Sequence, residues 1–332
     1  MRQSPFARPA ALAAALLIGL GGFAIGGSAQ ARQTLRVAHV SSVDSLVNKA
    51  LVRFADEVKE KSGGELVVAL YPDGQLGDEA PIADAVGAGA IDMGLGGAVD
   101  ALDPRLNVVS LPFLFKDAEG VHAFLDGPAG QELMKLGQDR NYILLGALDS
   151  GFRQFANRKH PVREPADLAS LKIRTPPNPV ILATIKALGA LPQAIPYGEV
   201  YTSLQSGVVD GVEPELRDFY DQKWYEAAKY VSMSNYVWSA NYWFMNKARY
   251  DGLADAQRGV LRTAAANSVK WYRGELDAVY TKIIQELKDK GVRFNEVDLD
   301  AFRGKVDPVY GQFAKEWGGD FVKAIRAAAQ RP

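Results

Sequence analysis

Two arginines carry the clearest chemistry in this sequence of 332 residues. Arg174 closes the short apolar run Leu171-Lys172-Ile173-Arg174, which reads as a strand. Four residues on, Asn178 reads as a helix N-cap with Pro179 at the first helical position. In open α/β sheets, ligands sit beyond the carboxyl ends of strands, and a helix N-terminus aimed at the same place adds positive potential. A guanidinium there grips a carboxylate through two parallel hydrogen bonds. Asn178 is a candidate contact at that helix start. Arg153, just after the turn Asp149-Ser150-Gly151, is a candidate second clamp. A surface or structural ion pair is the commoner role of a single arginine. Among the aromatics, Tyr197, Trp238 and Tyr242 are candidate cleft walls, although plain core packing is the commoner fate of each.

Other chemistry finds little footing. The three histidines, His39, His122 and His160, form no metal-spaced pair. There is no Gly-x-Ser-x-Gly elbow, phosphate-cradling glycine loop or dinucleotide fingerprint. Gly94-Leu95-Gly96-Gly97 lacks the full spacing of such a loop and reads instead as a place where backbone approaches a ligand. No acidic pair is placed for acid–base work. The expectation is a binding protein, not an enzyme, with no cofactor and no metal.

The elements that must position these residues alternate. Leu35–Val40 reads as a strand, Val47 to Val58 as a helix stopped by Gly63-Gly64, and Glu65–Tyr71 as a second strand. A β-α-β start favours a parallel sheet. Pro81–Ala88 reads as a helix, Ile91–Gly94 and Tyr142–Leu148 as strands, and Glu199–Gln205 as a helix ended at Gly207. Two stretches echo each other, Gly89-Ala90-Ile91-Asp92-Met93 and Gly207-Val208-Val209-Asp210-Gly211, which suggests two lobes of related design. From Leu253 to Lys290 helical periodicity is almost unbroken, long enough to run along both lobes.

Arg2 and Arg8, the apolar run Ala10 to Ile25 and Ala29-Gln30-Ala31 have the three-part layout of a secretory signal peptide cut after Ala31. The formal net charge is -1, and removing residues 1–31 leaves 36 basic and 39 acidic side chains, a net of -3. That balance disfavours nucleic acid and polybasic membrane contacts. The absence of cysteine removes thiol nucleophiles, thiolate metal sites and a lipidated N-terminal cysteine. The mature chain is expected to diffuse freely in the periplasm as a monomer.

At these same residues the sequence resembles the solute-binding proteins of tripartite ATP-independent periplasmic (TRAP) transporters, of the dicarboxylate-binding type. The resemblance is carried by Tyr71-Pro72-Asp73-Gly74-Gln75-Leu76-Gly77-Asp78-Glu79, Leu111-Pro112-Phe113-Leu114-Phe115, Gly151-Phe152-Arg153, Pro165-Ala166-Asp167-Leu168 and Leu171-Lys172-Ile173-Arg174-Thr175-Pro176. The strongest stretch is Pro196 to Glu213. The resemblance implies an α/β, two-lobe periplasmic-binding-protein fold, hinged, with a long helix spanning both lobes. It implies Arg174 as principal carboxylate clamp with Arg153 in support, and delivery of the ligand to the membrane subunits of a TRAP transporter. The lobes are expected at 32–151 plus about 239–279, and at 152–238 plus about 280–332.

One departure stands out: where many members carry an asparagine after Asp-Gly-x-Glu, this chain has Pro214 and then Glu215. A sugar acid, a short hydroxy or keto acid and a C4 dicarboxylate all stay open. Glu79, Glu213 and Glu215 are candidate acceptors for ligand hydroxyls. Two rival readings are a binding protein of an ATP-driven transporter and an exported enzyme acting on a carboxylate.

Overall fold

The computed structural model describes residues 32–330, so the signal-peptide reading lies outside the described residues. Its strands are β1 (Gln33–Ala38), β2 (Leu66–Tyr71), β3 (Met93–Gly96), β4 (Tyr142–Asn157), β5 (Lys172–Thr175), β6 (Leu191–Ala194), β7 (Gly211–Val212), β8 (Tyr230–Asn246) and β9 (Arg293–Glu296). The helices are α1 (Leu46–Lys61), α2 (Glu79–Gly87), α3 (Ala118–Asp126), α4 (Pro128–Leu133), α5 (Pro179–Ala187), α6 (Val200–Ser206), α7 (Leu216–Asp221), α8 (Lys247–Asp251), α9 (Asp255–Asp289), α10 (Leu299–Arg303), α11 (Asp307–Trp317) and α12 (Gly319–Ala329). Local sequence explains many boundaries. Ser45 caps α1 by accepting the Asn48 N–H, and Gly63 and Gly64 beyond its end take positive φ. Val47, Leu51, Phe54 and Val58 form the buried face of α1, where Phe54 meets Trp243 edge-on with ring centroids 4.4 Å apart.

The strands form one sheet in the order β2-β1-β3-β8-β4-β7-β5-β6, with β9 added to β8. In the first lobe β2, β1 and β3 run parallel, and β8 pairs antiparallel to β3 before meeting β4. In the second lobe β6, β5 and β7 run parallel, and β4 pairs antiparallel to β7 before meeting β8. Each long strand therefore serves both lobes, with its role exchanged between them. The sequence echo has a matching structural role. Gly89 and Gly207 stop their helices at φ +76° and +77°. Asp92 then accepts the Arg36 N–H of β1 at 2.8 Å, and Asp210 accepts the Lys172 N–H of β5 at 2.9 Å. Each aspartate bonds a backbone N–H of the parallel strand beside it.

The hinge is the stretch where β4 and β8 pass between lobes. Their register shifts at Leu144/Gly146, Asp149/Gly151 and Arg153/Phe155, the bulges that bend long strands. Behind it lies a buried polar network. Arg217 donates to the carbonyls of Asp149 and Ser150 at 2.9 and 2.7 Å and pairs with Glu215, while the Tyr272 hydroxyl donates to Asp149 O at 2.6 Å. These bonds tie α7 and α9 to β4 at the crossing. Helix α9, 35 residues and roughly 52 Å long, buries Leu261, Ala264 and Tyr272 with the α1 core of the first lobe and Ile283 and Leu287 with the second.

Three features differ from the sequence reading. β4 is twice as long as Tyr142–Leu148, because its bulges and two-sided burial hide the alternation that marks a strand. β8 escapes for the same reason. The C-terminal helices are not confined to the second lobe, where 280–332 placed them. α11 packs on α5 of the second lobe and α12 on α3 of the first, with Phe313, Val322 and Ile325 sharing a core with Val121 and Phe124.

Candidate functional site

A cavity of about 330 Å³ lies between the lobes, at the low end of the ~300–1,000 Å³ typical of ligand pockets. The first lobe contributes Asp78, Glu79, Gly97, Asn107, Ser110 and Tyr242, and the second contributes Arg174, Asn178, Tyr197, Asp218 and Trp224. Arg153 and Ser239 enter from the hinge strands. The lobes meet over it. Asn178 Nδ2 donates to Asn107 Oδ1 at 2.9 Å, and the Gly198 N–H donates to Asp78 Oδ2 at 3.0 Å.

Arg174 lies at the carboxyl end of β5, as its sequence position requires, and is 2% exposed. Its Nε donates to Ile195 O at 2.9 Å, which orients the guanidinium. Among the described residues its two terminal nitrogens have no hydrogen-bond partner and no carboxylate lies within ion-pair distance. Burial, and then the positive charge of Arg153, push its pKa down to about 10, so it remains a cation at neutral pH. Trp224 stands 5.8 Å from the guanidinium, within cation–π range.

Arg153 is differently placed. Burial works against its charge, but Glu213 offsets this and holds its pKa above the ordinary value. Its Nε and Nη2 both donate to Glu213, the latter at 2.9 Å, and Nη1 reaches Ser239 Oγ at 3.4 Å. Arg153 therefore lines the cavity with its charge already matched.

Glu79 opens α2, with its N–H capped by Asp78 at 2.6 Å. Its carboxyl lies over β3, where a Cβ on Gly96 would fall 3.1 Å from it; glycine leaves the room. Burial raises its pKa to about 7; the Gly97 N–H opposes the rise, the charge of Asp78 adds to it, the charge of Arg174 opposes it, and Asp218 adds least. Tyr197 donates its hydroxyl to Asp218 Oδ1 at 3.0 Å, and burial and the Asp218 charge hold it protonated. Asn178 caps α5 as read, its Oδ1 accepting the Val180 and Ile181 N–H groups. Its amide nitrogen is left to bridge the lobes.

Of the residues singled out in the sequence, Arg174, Arg153, Glu79, Tyr197, Asn178 and Tyr242 line the cavity. Trp238 does not. It is 2% exposed and packs edge-on against Phe115 at 5.8 Å, inside the apolar core that it shares with Ala240 and Tyr242. Glu213 also stands outside the lining, fully buried behind Arg153 and accepting the Tyr236 hydroxyl at 2.6 Å. Glu215 is committed to Arg217, the Asp218 N–H and Tyr280. Neither glutamate is free to meet a ligand hydroxyl. Asp218, Trp224, Asn107 and Ser110 were not anticipated; each comes from a turn or short helix whose orientation the chain pattern does not encode. Among the described residues no group of three or more His, Asp or Glu is arranged to hold a metal.

A two-lobed α/β sheet with exchanged hinge strands and a cavity between the lobes that holds a buried arginine without an ion-pair partner among the described residues is the architecture of a solute-binding protein. The chain belongs to the DctP family, described as bacterial extracellular solute-binding protein, family 7, whose family model matches residues 37–316. It is 32% identical over 318 residues to the 2,3-diketo-L-gulonate-binding periplasmic protein YiaO of Escherichia coli strain K12, covering 94% of this chain and 96% of that one. Two solved structures are similar. One is a TRAP periplasmic solute-binding protein from Xanthobacter autotrophicus Py2 with bound β-D-galacturonate: TM-score 0.85, 31% identity, 88% of this chain and 99% of that one. The other, from Polaromonas sp. JS666, is bound to D-erythronate: TM-score 0.86, 30% identity, 89% and 99%. This protein is a TRAP-type solute-binding protein. Among its described residues no helix is long and apolar enough to cross a membrane.

Proposed function

We propose that this protein captures a small organic acid in the periplasm, holds its carboxylate on Arg174, and delivers it as a monomer to the membrane subunits of a TRAP transporter. One observation carries the reading: a buried guanidinium, oriented by Ile195 O, presents its terminal N–H groups to the cavity with no carboxylate in reach among the described residues. A carboxylate there completes a bidentate pair. Arg153, its charge matched by Glu213, supplies a further guanidinium N–H wall, and Tyr197, Trp224 and Tyr242 supply flat surfaces. The bound acids of the two similar structures and the name of the E. coli relative support this class of ligand.

Capture proceeds by hinge closure about β4 and β8, with the lobes divided near 151 and 238. The open cleft admits the anion, and closure brings Asp78 to Gly198 and Asn178 to Asn107 while excluding water. Lower dielectric then strengthens the ion pair. The role is capture without turnover. A thermal-shift screen of organic acids, followed by calorimetry, tests the reading: one acid class raises Tm, because a ligand that binds only the folded state stabilises it. Arg174→Lys, which loses the planar fork, then weakens binding by more than tenfold, roughly 1.4 kcal/mol. Unchanged affinity in that variant, or stabilisation by neutral sugars alone, would remove the proposal.

A further inference from the structure

Phe113 holds a backbone conformation that its own side chain makes costly. Leu111-Pro112-Phe113-Leu114 is a tight turn closed by the Leu114 N–H on Leu111 O at 3.2 Å, and Phe113, at its third position, has φ +54°. Proline second and a positive φ third are the marks of a type II turn, whose third position favours glycine because a Cβ crowds the backbone there. A bulky residue stays in the left-handed region only where its surroundings hold it. Here those surroundings belong to the other lobe. Leu111 and Leu114 pack in the core that holds Val121 and Phe124 of α3. Between them the Phe113 ring turns away and packs against a different core, built by Phe155, Leu168, Ile173, Tyr236, Val237 and Phe302 of the second lobe. Its N–H donates to Tyr236 O at 2.8 Å, and the Arg303 guanidinium of α10 stands 5.5 Å from the centre of its ring. The Tyr310 hydroxyl of α11 donates to Pro112 O at 2.9 Å. Tyr236 lies in the stretch of β8 where pairing with β4 jumps from Val237/Arg153 to Ser232/Phe155, which leaves its carbonyl to Phe113. A first-lobe side chain is therefore plugged into the second lobe at the strand crossing itself.

We infer that Phe113 is a positioning residue for closure, the pivot on which the lobes turn. Its ring stays seated in the second-lobe core while the chain on either side moves with the first lobe. The inference rests on the lobes closing about β4 and β8. Long strands and helices bend and twist, whereas a ring in a close-packed core has little room to shift. A seat beside the crossing therefore restricts twisting and leaves bending. The seat also communicates with the cavity on two sides. Just before the turn, Asn107 and Ser110 line the cavity, and Asn107 accepts the Asn178 amide across the cleft at 2.9 Å. Beyond it, the Tyr236 hydroxyl donates to Glu213, which holds Arg153 at the cavity wall. A fixed pivot thus sets the path by which Asn107 and Ser110 approach Asn178. The same role accounts for phenylalanine at a position that favours glycine: only a long side chain reaches the other lobe.

The chain has no cysteine, so Lys59→Cys on α1 and Lys186→Cys on α5, both at exposed positions, place one nitroxide label on each lobe. Pulsed electron–electron double resonance on the ligand-free mature protein then reads the spread of lobe–lobe distances. Phe113→Ala removes the ring and keeps a Cβ; the spread is expected to grow roughly twofold as twisting is released. Phe113→Gly removes ring and backbone strain together, so it melts higher than Phe113→Ala yet shows the same wide spread. Phe113→Leu refills part of the seat and falls between, and it carries the test if Phe113→Ala does not fold. Folded variants with the wild-type spread overturn the inference. So does a Phe113→Gly variant that returns to the wild-type spread, which would trace the effect to turn strain and not to the ring. Both outcomes leave hinge closure and the Arg174 clamp in place. A wild-type distance that stays fixed on adding D-galacturonate or D-erythronate, whichever raises Tm, removes closure and pivot together.

Discussion

Asp78 and Gly198 are 120 positions apart, yet the Asp78 carboxylate accepts the Gly198 N–H at 3.0 Å across the cleft while its other oxygen caps α2 through the Glu79 N–H. One side chain thus starts the helix that carries Glu79 and latches the two lobes. Asp78→Ala removes both bonds. The lost cap costs about 1 kcal/mol in urea unfolding, and the lost latch speeds ligand release several-fold in stopped-flow, since changes at an interface act mainly on dissociation. Asp78→Asn has one acceptor oxygen where two are used, so it keeps either the cap or the latch and shows an intermediate loss. A dissociation rate untouched by Asp78→Ala would show that the latch does not hold the closed form.

Glu213 is fully buried and Arg153 nearly so. Removing one partner of a buried ion pair leaves the other charge uncompensated, at a cost of about 3–5 kcal/mol. Glu213→Ala is expected to lose stability on that scale in denaturant titration, and the conservative Glu213→Gln to lose less. In both variants Arg153 becomes a second unmatched cation, so anion affinity does not fall. A variant as stable as wild type would mean that the pair contributes nothing to folding.

Burial raises the Glu79 pKa from 4.5 to about 7. A carboxyl with a higher pKa folded than unfolded binds more protons in the folded state between those values. Stability of the ligand-free protein therefore falls as pH rises from about 4.5 to 7, by at most ~1.4 kcal/mol per pH unit for this one group. Glu79→Gln removes that contribution. Melting curves from pH 5 to 8 should show a shallower decline, or a steeper rise, in the variant. Parallel pH profiles for the two proteins would contradict the assignment.

Gly151 sits at the strand crossing with φ +116°, and a Cβ there would fall 2.3 Å from the Tyr280 hydroxyl of α9. Gly151→Ala is expected to cost at least 2 kcal/mol in urea unfolding through steric clash and backbone strain. Adding Tyr280→Phe relieves the clash and leaves the strain, so it recovers only part of the loss. Full stability of Gly151→Ala would deny the hinge its close approach to α9.

Trp238 and Trp224 show where reading from sequence stops. Trp238 was a reasonable cleft wall by type and neighbourhood, but it packs against Phe115 in the apolar core while Ser239 to Tyr242 line the cavity. Which residues of β8 reach the cavity depends on the register shifts of its partner β4, which no local pattern reveals. Trp224 is buried in the core of the second lobe and also stands beside Arg174, carried there by a single 3-10 turn after α7.

Local chemistry was enough for much else. The Asn178-Pro179 start of α5, the glycine stops after α1, α2 and α6, the periodicity of α9 and the place of Arg174 at a strand's carboxyl end all follow from backbone preference and side-chain period, which act over a few residues. The exchange of β4 and β8 between lobes and the matching of Arg153 by Glu213 were decided by tertiary structure alone. They join residues some 60 to 100 positions apart, and whether a charge ends up paired or free depends on which groups the folded chain brings within a few ångströms.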